Sequence, residues 1–255
     1  MPSPVPPALF DRAALRRHIA RAAPVFAQHD ALFRAMAAIV AERVGDVARR
    51  FESALDLSPF ACLETGAKIA GVTHAPGALM QDAEILPFAA ASADLVASVM
   101  ALHWVDDLPG VLAQIHAVLK PDGMFIAALP GENTLHELRA CLMEAEIAVS
   151  GGISPRLSPT LDLQTASILM QRGGFALPVA DIETVTVVYP DMFALMRDLR
   201  GTGQTNAHSQ RPRAATRRAV FFEAARLYRD RFGDANGHIP ATIEIINLHG
   251  WKQPL

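Results

Sequence analysis

Apolar positions in the first fifth of the chain recur at helical spacing: Ile19, Phe26, Phe33, Ala37, Val40 and Val44 fall along one side of a helix. Residues 11–51 therefore read as helical, broken at Pro24, whose ring clashes with the preceding turn. Arg12, Arg16, Arg17 and Arg21 stripe one face of the first segment, the pattern of a solvated surface. From residue 54 the pattern changes to short apolar runs between turn residues. Residues 54–57, 68–72, 94–100 and 124–129 read as buried parallel strands, short and apolar on both faces. Leu108, Val111, Leu112, Ile115, Val118 and Leu119 make one helical stripe, which Lys120-Pro121-Asp122-Gly123 ends. Strand, helix and strand here form one βαβ unit.

Farther on, Asn133 suits the N-cap of a helix running to about residue 149, stopped by Gly151-Gly152. Residues 158–172 predict another helix, closed by Gly173-Gly174. The β-branched alternation over 182–189 predicts a strand. Helices are expected over 192–200 and 214–232 around the polar loop 201–213, and Asn236-Gly237 turns the chain into a last strand over 239–248. The fold class is α/β. Its expected organisation is a helical extension over 1–51 and a domain over 52–255, with a small helical cap inserted at about 190–232.

Composition narrows the function classes. The chain has 255 residues, half of them apolar, enough for a sizeable core. A net charge of −3 gives no electrostatic reason to expect nucleic acid. Two cysteines, Cys62 and Cys141, suit a reducing compartment. The segment Met1-Pro-Ser-Pro-Val-Pro-Pro lacks the pattern of a secretory signal, and no apolar stretch is long enough to span a bilayer, so a cytoplasmic protein is expected. The nine histidines show no metal-site spacing, and no metal is expected. Arg211, Arg213, Arg217 and Arg218 form a basic cluster, read either as a solvated helix start or as a docking patch for an acidic protein partner. Gly201-Thr202-Gly203 lacks the strand–turn–helix setting of a phosphate loop.

The stretch Ala54-Leu55-Asp56-Leu57-Ser58-Pro59-Phe60 carries the most chemistry. An apolar strand ends in an acid where a doubly wound domain would place a glycine-rich nucleotide loop, yet serine, proline and phenylalanine follow. Glycine would let backbone approach a ligand, and proline removes a donor. The spacing is also short. Residues 58–67 leave ten positions for a first crossover, and 73–78 about six for a second before a strand near Leu79, so a stunted first helix and no second one are expected.

The order of elements and several strings resemble class I S-adenosylmethionine-dependent methyltransferases. The strings are Leu102-His103-Trp104-Val105-Asp106-Asp107-Leu108-Pro109, Leu119-Lys120-Pro121-Asp122-Gly123, Thr134-Leu135-His136-Glu137-Leu138-Arg139 and Leu195-Met196-Arg197-Asp198-Leu199-Arg200-Gly201. They are similar to the subgroup of a mitochondrial complex I assembly factor with this fold, and more distantly to the malonyl-acyl-carrier-protein methyltransferase of biotin synthesis. The resemblance implies a Rossmann-like, mostly parallel sheet with an antiparallel C-terminal strand, and S-adenosylmethionine as cofactor. It places the cofactor against Asp56, Leu57, Ser58, Thr73, Asp82, Ala83, Met100, Leu102 and His103. Phe60 would then lie near the methionine moiety and Asp82 beside the adenine. The usual ribose-binding acid is missing between Val72 and His74, where Thr73 offers one hydroxyl. The substrate or partner side falls on Trp104, Arg139, Tyr189, Arg200 and Asn206. Three activities stay open: a methyltransferase with an altered cofactor loop acting on a small molecule or protein, a protein arginine hydroxylase, and a non-catalytic binding or assembly protein.

Overall fold

The computed structural model describes residues 8–80 and 84–254. Its strands are β1 (Ala54–Asp56), β2 (Val72–His74), β3 (Ala93–Val99), β4 (Leu119–Pro130), β5 (Ala176–Tyr189) and β6 (Ile239–Trp251). They form one sheet in the order β2-β1-β3-β4-β6-β5. The pairs among β1 to β4 are parallel, and β6 runs antiparallel to both β4 and β5. The helices are α1 (Arg12–Ala22), α2 (Ala31–Asp46), α3 (Leu108–Val118), α4 (His136–Ser150), α5 (Leu163–Arg172), α6 (Met192–Gly201) and α7 (Arg218–Phe232). This is the mostly parallel Rossmann-like sheet expected, with its antiparallel C-terminal strand.

The period-two pattern of the central strands explains the layers. Met124, Ile126 and Ala128 of β4 face the cluster that also holds residues of α2, α4 and α7, while Phe125, Ala127 and Leu129 face the cluster holding α3. Every residue of β3 is buried. A strand covered on both faces needs apolar side chains at successive positions, which is why its run is continuous. Asp94 and Ser98 are the polar exceptions, and Asp94 has a clear task. Its carboxylate accepts from Glu52 N and Ser53 N, both at 2.9 Å, and fixes the entry to β1.

Several boundaries differ from the sequence reading. Of the run at 68–72, Ile69 forms an isolated bridge with Phe51 and Val72 alone enters β2, which pairs with β1 over Val72–His74. Residues 57–71 contain no helix at all rather than a stunted one. Among the described residues no strand starts near Leu79, which lies in the short 3-10 turn Ala78–Met80. The predicted helix at 158 begins at Leu163, where Asp162 accepts from Thr165 N at 2.8 Å as the N-cap. Asn133 does not cap α4. Its amide donates to Glu244 Oε2 at 2.9 Å, and Leu135, in the left-handed region at φ 55°, leads into the helix. Gly151, at φ 70°, ends α4 as expected.

The arginine stripe of α1 is not simply solvated. Arg12 is 8% exposed, donates to Trp104 O at 2.7 Å and Asp106 Oδ2 at 3.1 Å, and pairs with the buried Glu84. Glu84 also accepts from Asp106 N and Asp107 N at 2.7 and 2.8 Å. Arg16 donates to Met80 O, and Arg21 to Thr205 Oγ1. The basic cluster near residue 211 is likewise partly engaged: Arg211 and Arg213 both pair with Asp11, the N-cap of α1. Removing one partner of a buried ion pair leaves an uncompensated charge, at a cost of about 3 to 5 kcal/mol. Arg12→Met is therefore expected to lower unfolding free energy by about 3 kcal/mol in urea titrations; an unchanged midpoint would show that Glu84 does not need its cation.

Candidate functional site

Ligands of open α/β sheets sit beyond the carboxyl ends of the parallel strands, and two different corners lie there. At the end of β1, Asp56 is fully buried. Its Oδ1 accepts from Ser58 N at 2.9 Å and from the Cys62 thiol at 3.3 Å; its Oδ2 accepts from Cys62 N at 2.7 Å and Leu63 N at 3.2 Å. Ser58 Oγ accepts from Val99 N at 2.8 Å and donates to Cys62 Sγ at 3.1 Å. Ser58 O takes a hydrogen bond from His74 Nε2 at 3.1 Å. Burial, followed by the nearby Asp56 charge, pushes the Cys62 thiol far above its ordinary pKa. Phe60, expected beside a methionine moiety, stacks on Phe26 with ring centroids 3.6 Å apart and meets Phe33 edge-on. Leu57 is buried in the core and Thr73 is exposed on the edge strand β2. Asp82 and Ala83 lie outside the described residues.

The second corner is open. Beyond β3 and β4 lies a cavity of about 330 Å³. Met100 and Pro130 form its floor at the strand ends; Leu135, Leu138, Arg139 and Leu142 of the α4 region line one side, and Met196 and Leu199 of α6 another. The loops supply His103, Trp104, Arg156, Ser158, Gln204, Asn206 and Arg211. Met100 and Leu135, both at φ 55°, hold a conformation that side chains with a Cβ seldom adopt, and both line this cavity. Such strain persists where surrounding contacts enforce it. Here Met100 N is held by Ala128 O at 3.0 Å and Leu135 N by Thr242 O at 2.7 Å.

The cavity gathers five of the residues proposed from sequence: Met100, His103, Trp104, Arg139 and Asn206. Leu102 is buried on the α3 side of the sheet, Tyr189 hydrogen-bonds Asp198, and Arg200 is exposed at the end of α6. Sequence reasoning missed Gln204, whose Oε1 accepts from Trp104 Nε1 at 3.2 Å and lies 2.9 Å from His103 Nε2. The available signal was the glycine pair just before it. A Cβ on Gly201 would fall 2.1 Å from the His29 ring, and one on Gly203 2.6 Å from Ile19. These glycines let the loop close onto α1 and bring Gln204 over the strand ends.

Burial lowers the His103 pKa to about 4, so the ring is neutral at pH 7. The unfolded chain takes up this proton near pH 6.5 and the folded protein only near 4. Stability contributed by the neutral ring is therefore full above pH 6.5 and falls as pH drops towards 4. At ~1.4 kcal/mol per pH unit this amounts to about 3 kcal/mol. His18, lowered to about 4 by burial and then by Arg21, adds in the same direction. His103→Gln is expected to flatten the decline between those pH values without abolishing it, as read from urea midpoints across the range.

Comparison with known proteins agrees with this architecture. Residues 40–127 match the family described as Methyltransferase domain. The chain is 36% identical to the arginine hydroxylase NDUFAF5 of Danio rerio mitochondria, covering 96% of this chain and 83% of that protein. The human protein of the same name is 38% identical, covering 96% and 77%. A malonyl-[acyl-carrier protein] O-methyltransferase of a Methylovorus species is 37% identical over 69% of this chain and 56% of its own length. The chain therefore belongs to the class I S-adenosylmethionine-dependent methyltransferase-fold family, within the group that includes the mitochondrial arginine hydroxylases.

Proposed function

We propose that this chain is a methyltransferase-like protein with a degenerate cofactor corner, and that it works by binding a substrate or client through the cavity beyond β3 and β4. The observation that carries the reading is the self-satisfied Asp56. In the family pattern the acid at this position opens a loop whose backbone donors and close approach serve the cofactor. Here the loop N–H groups of Ser58, Cys62 and Leu63 are directed at the Asp56 carboxylate itself. Pro59 has no N–H to offer, and no acid stands at Val72–His74 for the ribose hydroxyls. The residues present at this corner do not fit S-adenosylmethionine.

The length of the chain supports the same reading. The alignment with the Danio rerio relative runs over 266 positions, more than the 255 residues of this protein, so that relative carries residues which this chain lacks. Among the described residues, the stretches on either side of β2 hold no α-helix, where parallel crossovers usually carry one. Arginine hydroxylation is a second reading, favoured by the names of the relatives that match nearly the whole chain. For a non-catalytic binding protein, a respiratory-complex subunit or a carrier protein is the client class.

Calorimetric titration with S-adenosylmethionine tests the proposal. No heat is expected up to millimolar cofactor, whereas a Kd below about 100 μM would overturn it. A companion measurement concerns Asp56→Ala. Because the carboxylate serves its own loop, this variant is expected to lose about 3 kcal/mol of folding stability, at ~1.5 to 3 kcal/mol for each charged hydrogen bond broken and part recovered by water. A variant as stable as the parent would mean that Asp56 is held for a ligand rather than for the fold.

A further inference from the structure

The polar groups on the cavity wall are mostly spent. Asn206 donates its amide to Pro155 O at 2.7 Å and accepts from His208 N at 2.9 Å; Thr134 exchanges hydrogen bonds with the Glu244 backbone. Arg156 is paired with Glu146, and Arg211 with Asp11. Besides the Thr160 hydroxyl, two groups are left over. Arg139 lines the cavity from α4, and among the described residues nothing accepts a hydrogen bond from its guanidinium. No aspartate or glutamate is among the described residues that line the cavity.

The second free group follows from hydrogen-bond logic. An indole N–H can only donate, so the bond from Trp104 Nε1 identifies the Gln204 atom facing it as the amide oxygen. The Gln204 nitrogen correspondingly points to Met100 O, at 3.4 Å. His103 Nε2, 2.9 Å from that same oxygen, must then carry the ring proton. The neutral ring therefore presents a bare lone pair at Nδ1. That atom is buried without a partner, in a residue only 8% exposed that lines the cavity. An unsatisfied buried acceptor is costly and is tolerated where a ligand completes it.

We propose that the cavity binds a mostly apolar carboxylate bearing a hydroxyl or amide N–H: Arg139 takes the anion, and Nδ1 of His103 accepts the hydrogen bond from the donor. This deepens the binding reading of the previous section by naming the ligand class, and it rests on the cavity being the working site. A single unpaired guanidinium matches one carboxylate, with which it can form two parallel bonds. A phosphate dianion would call for more positive charge than one free group supplies. A guanidinium-bearing ligand would meet cations and no counter-charge. The volume lies at the small end for ligand sites, which suits a medium-length chain rather than a folded macromolecular surface.

The test uses the full chain and three probes of equal length, ω-hydroxydecanoate, decanoate and decan-1-ol, by calorimetry. The hydroxy acid is expected to bind most tightly. Arg139→Gln should weaken both acids about tenfold or more and leave the alcohol unchanged. His103→Phe should bring the hydroxy acid down to the level of decanoate while leaving decanoate itself unaffected. In nitrogen NMR of the parent protein, the His103 Nδ1 resonance should move with the hydroxy acid and not with decanoate, a readout that needs no variant to fold. Binding of the alcohol as tight as that of the acids, no binding of any probe, or equal loss of both acids in His103→Phe would overturn the assignment. Titration with S-adenosylmethionine is read separately, so cofactor binding would defeat the degenerate-corner reading while leaving this ligand assignment standing on its own probes.

Discussion

The carboxylate of Asp56 ends β1 in full burial and takes its hydrogen bonds from the residues that immediately follow it. A buried charge of this kind must be surrounded by donors, and a chain leaving a strand without a helix must find acceptors for its own N–H groups. Each need answers the other here. The loop from Ser58 to Leu63 wraps the carboxylate, Ser58 Oγ locks it to Val99 N, and Phe60 is drawn outward to stack on Phe26. The same closure holds the end of β1, one strand in from the edge of the sheet.

One strand over, beyond β3 and β4, lies the cavity lined by His103, Trp104 and Arg139. Its walls come from distant parts of the chain and are held by polar ties to the N-terminal segment. Leu9 N and Phe10 N donate to Asp106, Arg12 reaches Trp104 O, and Asp11 N bonds Ala207 O. Phe10 also meets the Trp104 ring edge-on at 5.4 Å between centroids. The helical start of the chain thus acts as a clasp on the loops that carry Trp104 and Gln204.

The centre of the fold was legible in the sequence because its signals are local. The apolar run of β3, the stripe of α3 and the turn at Asp122-Gly123 each specify their own conformation. Less legible were features created by partners far away in the chain. Arg12 sits in a polar stripe that reads as solvated, yet its acceptors lie 67 to 94 residues along the chain. Gln204 stands in a polar loop with no motif of its own, and its importance appears only once Gly201 and Gly203 have packed against His29 and Ile19. The strand expected over 68–72 lies farther along because Ile69 is buried like a strand residue, whereas pairing with Ala54–Asp56 selects Val72–His74. Of the proposed site, the half at His103, Trp104 and Arg139 converges, while Tyr189 and Arg200 are carried elsewhere by α6 and the edge of the sheet.

The Cys62 thiol offers a further consequence. It lies within the wrapped loop, donating to Asp56 and receiving from Ser58, and both burial and the adjacent negative charge keep it protonated. A protonated, shielded sulfur is inert towards alkylating reagents. Modification of Cys62 must therefore wait for the loop to peel away from β1, so the rate of its labelling is a clock for breathing of the corner on which the sheet closes.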